Sequence, residues 1–102
     1  MDYKAGTRLY SAVCDTEVIV VKAPPADGEL LIGGVLAVRS ADERDPEGAV
    51  VYGHGGGAQM GKRYVDQADT AELLCTKQGA GRPALNGEVL TVKAAKPLPA
   101  SD

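Results

Sequence analysis

The sequence predicts an all-β chain made of two small, similar units in tandem, packed against each other as an intrachain pseudo-dimer. Three observations lead there. First, the apolar stretches are short and rich in β-branched residues, as in Val18-Ile19-Val20-Val21. Second, no segment sustains a 3.6-residue apolar period for more than two turns. Third, the chain echoes itself. Residues 6–22 read GTRLYSAVCDTEVIVVK and residues 61–77 read GKRYVDQADTAELLCTK. At a constant offset of 55, Gly6 meets Gly61, Arg8 meets Arg63, Glu17 meets Glu72 and Lys22 meets Lys77. A period of this size points to repeated supersecondary units that bury their apolar faces on each other.

In order, residues 1–5 read as a frayed leader. Residues 8–13 read as a strand, Cys14-Asp15-Thr16 as a turn and residues 17–22 as a strong strand apolar on both faces. Pro24-Pro25-Ala26-Asp27-Gly28 breaks it. Residues 29–32 form a strand ended by Gly33-Gly34, and residues 35–38 continue extended. Residues 1–38 are thus the first unit. Residues 39–60 form a charged, then glycine-rich connector, with a short strand over 49–52. Residues 61–102 are the second unit and carry a Pro-containing tail. In that unit, strands fall over 62–65 and 72–76, with a turn over 66–69 between them. A glycine turn at 79–81, a tight turn at Asn86-Gly87 and a last strand over 89–92 follow.

Each unit, at roughly 35 to 40 residues, is too small for a self-sufficient core. It needs a metal, a disulfide or its partner unit. With no Phe and no Trp, the core must be Val, Leu, Ile, Ala and Tyr. The net charge is −3 and the basic residues are scattered, which argues against nucleic acid. No apolar stretch has membrane-spanning length. MDYKAGTRLY lacks the apolar core of a signal peptide, so the expectation is a cytoplasmic protein with reduced cysteines.

Glycine, a basic residue, an aromatic, a short turn, Glu-apolar-apolar-x-x-Lys, a glycine turn and Gly-Gly form a pattern that resembles desulforedoxin. It is also similar to the N-terminal domain of desulfoferrodoxin. The likeness covers roughly residues 6–38 and 61–92. It implies a rubredoxin-like bacterial module in which four thiolates, from a Cys-x-x-Cys turn and a Cys-Cys pair, hold one iron. It also implies pairing of units about a two-fold axis. The ligand positions here hold Ser11, Cys14, Ile32 and Gly33 in the first unit, and Asp66, Asp69, Leu85 and Asn86 in the second. The last pair is uncertain by one residue, because the offset drops across the glycine turn. Only Cys14 keeps a thiol, so neither unit can form a tetrathiolate centre. The metal site is degenerate and no cofactor is expected.

The remaining candidates each carry two readings. Cys14 is a reactive thiol or residual ligand, or a relic of the turn. Cys75, inside a strand, reads as a small hydrophobe. Asp66 and Asp69 have cation-like spacing but lack further oxygen ligands, which favours solvated turn residues. Gly53, His54, Gly55, Gly56 and Gly57 match an HGGG stretch, but G-x-S-x-G is missing. A linker is the plain reading there and a binding loop the functional one. No base, nucleophile and oxyanion donors occur together, so the chain reads as no enzyme. The expectation is a metal-free, non-catalytic accessory protein that binds a protein partner or itself. The alternative is a small redox or metal protein using the Cys14 site.

Overall fold

The computed structural model describes residues 3–23, 28–51, 53 and 55–93. The Pro24-Pro25 turn, Tyr52, His54 and the Lys96–Pro99 stretch lie outside the described residues. The fold is all-β, with no α-helix among those residues. Among the described residues no helix is long and apolar enough to cross a membrane.

Among the described residues, nine short strands build two antiparallel sheets. In chain order they are β1 (Arg8–Tyr10), β2 (Glu17–Lys22), β3 (Leu30–Ile32), β4 (Val35–Leu36), β5 (Arg63–Val65), β6 (Glu72–Lys77), β7 (Pro83–Leu85), β8 (Glu88–Val89) and β9 (Thr91–Val92). The larger sheet has the order β1-β2-β6-β5-β9 and the smaller one β4-β3-β7-β8. Each centres on a pair from different ends of the chain. In the first, Ile19 faces Leu74, and Val18 and Val20 face Cys75 and Leu73. In the second, Leu31 faces Ala84, and Leu30 and Ile32 face Leu85 and Pro83.

Backbone hydrogen bonds recur at the sequence offset. Gly6 N–H donates to Val20 and Gly61 N–H to Cys75; Val20 N–H donates to Thr7 and Cys75 N–H to Lys62. Past the glycine turn the recurrence continues at 53, with Ala37 donating to Leu30 and Leu90 to Pro83. The Glu-to-Lys spacing has a cross-strand meaning. Glu17 lies opposite Lys77 and Lys22 opposite Glu72, so the termini of β2 and β6 present unlike charges to each other.

One apolar cluster fills the space between the sheets. Leu9, Val18, Val20, Tyr64, Leu73 and Cys75 enter it from the larger sheet, and Leu30, Ile32 and Leu85 from the smaller. Alternation along β2 and β6 turns these residues inward. Tyr3 joins them at 2% exposure, and its hydroxyl accepts the Leu30 N–H at 3.1 Å. The leader is therefore anchored at Tyr3, where the sequence suggested fraying, while Lys4 and Ala5 stay exposed. An aromatic that can bury its ring and satisfy its hydroxyl has reason to dock.

Two further expectations change. Residues 49–51 form no strand. Among the described residues, Val51 N–H makes one backbone bond, to the Gly33 carbonyl, and a lone bond does not make a strand ladder. The last strand splits at buried Leu90. β8 stays in the smaller sheet, whereas β9 pairs with β5 in the larger one. The Asn86-Gly87 turn is as read, with φ of 51° and 85°.

Candidate functional site

The turn from Ser11 to Thr16 joins β1 to β2 and carries the thiol of Cys14. Ser11 and Thr16 are fully buried, which polar side chains tolerate only with partners. Ser11 Oγ accepts the N–H groups of Val13 and Cys14 at 3.2 and 3.1 Å. The Cys14 thiol donates to the same Ser11 oxygen, 3.1 Å away. Thr16 Oγ1 lies 3.3 Å from the same sulfur and donates to the Gly81 carbonyl. The Gly81 N–H donates to the sulfur at 3.3 Å. Burial raises the Cys14 thiol pKa, but hydrogen bonding with Ser11, Thr16 and Gly81 outweighs it and holds the thiol below its ordinary value.

Gly81 can reach Cys14 because it has no side chain. A Cβ there would lie 2.8 Å from the Gly33 nitrogen and 3.0 Å from Cys14 Sγ. Three turns thus meet at one point: Ser11–Cys14, Gly33 and Gly81. Arg44 closes the outside. Its guanidinium donates to the Ser11 and Asp15 carbonyls, pairs with Glu17 at 3.2 Å and lies over the Tyr10 ring.

The remaining expected ligand positions are occupied structurally. Ile32 is fully buried and Leu85 is 8% exposed, both within the core. Gly33 N–H donates to the Arg82 carbonyl. Asp66 Oδ1 accepts the Thr70 and Ala71 N–H groups at 2.7 and 3.0 Å, and its other oxygen holds the Thr70 hydroxyl. Burial raises the Asp66 pKa and these bonds lower it further, for a net depression. Asp69 is exposed, with φ of 57°; its N–H donates to the Asp66 carbonyl and its own carbonyl accepts from Lys22. Asn86 Oδ1 caps the Glu29 N–H at 2.9 Å. Among the described residues no three His, Cys, Asp or Glu side chains gather as a metal-binding group.

Cys75 is buried in β6, and its thiol donates to the Lys77 carbonyl. Burial pushes its pKa up despite that bond. Both thiols are free. Glu72, also buried, is held by Lys93 at 2.9 Å and Arg63 at 2.7 Å, which lower its pKa.

Of the glycine stretch, Gly53 and Gly55–Gly57 are described, and His54 is not. Gly56 and Gly57 border two open grooves. One, with Asp15, Gln59, Gln78 and Gly79, is polar; the other includes Tyr64, Arg82, Leu90 and β9.

No protein-family model, curated protein or solved structure matches the chain.

The sequence did not single out Thr16, Gly81, Arg44 or Arg82. Thr16 had one signal, since it stands where the second unit has Ala71, a polar residue at an otherwise apolar position. Arg44 and Gly81 had none, because their roles depend on which segments cross.

Proposed function

We propose that the chain is a metal-free, non-catalytic binding module, two degenerate desulforedoxin-like units fused as a pseudo-dimer, that acts on a protein partner such as an enzyme. The observation that carries this is the use made of the eight ligand positions. Ile32 and Leu85 pack the core, while Ser11, Asp66 and Asn86 cap backbone amides. Burying an aliphatic side chain contributes about 1.5–3 kcal/mol. Packing can therefore offset part of the stabilisation that a metal would give so small a core. The reciprocal pairing of Ile19 with Leu74 and of Leu31 with Ala84 supports the pseudo-dimer, because a two-fold axis places equivalent residues opposite one another. What remains open is surface: glycine-lined grooves and the outer edges of short sheets, where proteins add partners.

Affinity capture from native lysate tests the reading, with deletion of residues 53–57 as the control. A stoichiometric partner that the deletion weakens is the expected result. Robust turnover by the isolated chain contradicts it.

A second reading has its own observation. The half-buried Cys14 sulfur accepts the Gly81 N–H and is hydrogen-bonded to the Ser11 and Thr16 hydroxyl groups. That arrangement favours a thiolate and fits a small redox protein. Reversible, stoichiometric oxidation of Cys14 at cellular redox potentials would select it.

A further inference from the structure

Most cations near the core have a counter-charge. Arg44 and Lys77 meet Glu17, and Arg63 and Lys93 meet Glu72. Arg82 differs. It is half-buried just before β7, and among the described residues its guanidinium has neither ion pair nor hydrogen bond. It lies flat against Gly56, so close that any side chain at that position would displace it. A partly desolvated charge without a partner is costly.

The surroundings match an anion with an apolar body. Arg82 borders an open groove of about 330 Å³, at the small end of the range of ligand sites. Gly56 and Gly57 border it too, and their amides donate to no group among the described residues. Buried Tyr64 and Leu90 and exposed Val92 supply apolar surface.

The groove also runs along an open sheet edge. β9 ends the strand order of the larger sheet. Lys93 N–H bonds the Arg63 carbonyl on β5, so the alternation along β9 turns the Val92 N–H and C=O outward. Outward backbone groups suit an added strand, and an arginine beside free glycine amides suits a terminal carboxylate.

We propose that this groove binds the free carboxyl terminus of an extended partner peptide. The peptide adds along β9, its carboxylate sits on Arg82 and the Gly56 and Gly57 amides, and its last side chain is aliphatic, resting against Leu90 and Val92. This rests on the partner-binding reading and names the feature of the partner that is recognised.

The test is an NMR titration of the full ¹⁵N-labelled chain with an N-acetylated hexapeptide ending in valine. Saturable shifts at the amides of Gly56, Gly57, Thr91 and Val92 are expected. The same peptide with an amidated C-terminus binds at least tenfold more weakly. Arg82→Gln, with its melting temperature checked against the parent, loses at least tenfold, and Arg82→Lys loses less. Equal binding of acid and amide peptides, or no shifts at millimolar peptide, overturns the proposal. Free isovalerate binding as tightly as the peptide also overturns it, since the strand would then contribute nothing. If Arg82→Gln leaves partner capture from lysate intact, the groove assignment falls and the partner-binding reading stands.

Discussion

The Gly81 N–H donates to the Sγ of Cys14 at 3.3 Å, joining turns 67 residues apart in the chain. With the Ser11 and Thr16 hydroxyls, it biases that thiol toward its anion. Alkylation by iodoacetamide in the native protein should therefore occur at Cys14, with a pH midpoint below the ordinary ~8.5. Ser11→Ala should raise the midpoint and slow the reaction at neutral pH. Cys75, 1% exposed with its pKa raised, should react only on unfolding. Mass spectrometry of quenched time points reads both rates.

Acid should destabilise the fold through two carboxylates. Glu72 and Asp66 both have folded pKa values below the unfolded ones. Their contribution is complete above the unfolded range near ~4 and disappears as pH falls through the depressed folded values. Urea midpoints between pH 7 and 3 should fall accordingly. Glu72→Gln at pH 7 should cost about 1–3 kcal/mol and flatten that decline. Arg63→Ala should cost less, because Arg63 is half-exposed.

Ile32 tests whether the ligand positions are now packing. Truncation of this fully buried side chain to alanine should cost about 2–5 kcal/mol, measured by denaturant unfolding. A loss below about 0.5 kcal/mol would mean that the site tolerates a void and is not part of the core.

The hairpin between β7 and β8 separates backbone strain from crowding. Gly87 has φ of 85° and open space around it. Gly87→Ala should cost about 1–2 kcal/mol, the left-handed penalty alone. Gly33, at φ of 67°, already lies near Val50 and Gly81, with contacts of 3.1 and 3.3 Å for an added Cβ. Gly33→Ala should cost more. Equal losses in thermal melts would remove the crowding argument.

The sequence carried the strands and not their company. β2 was legible because β-branched residues run together between a turn and a proline pair, and β6 because it repeats the Glu-to-Lys spacing. Equivalent charges in the two units do not keep equivalent partners. Arg63 does pair with Glu72, but Glu17 takes Arg44 from the connector and Lys77 from β6. Arg44 was hidden in a charged run with no period, where nothing local marks one arginine as held by carbonyls far away. Arg82 was hidden for the opposite reason: what marks it is the lack of a charge partner among the described residues, which only the fold can show. Tyr3 was missed because docking of a terminal segment depends on the Leu30 amide, a tertiary partner.

Native mass spectrometry of the tagged chain, isolated gently from its native lysate, tests the central claim most directly, because one spectrum reads metal and partner together. The account predicts the chain in a defined complex with a second protein, at a mass that leaves no room for iron or zinc. A chain alone carrying stoichiometric iron or zinc, lost on Cys14→Ser, would contradict it.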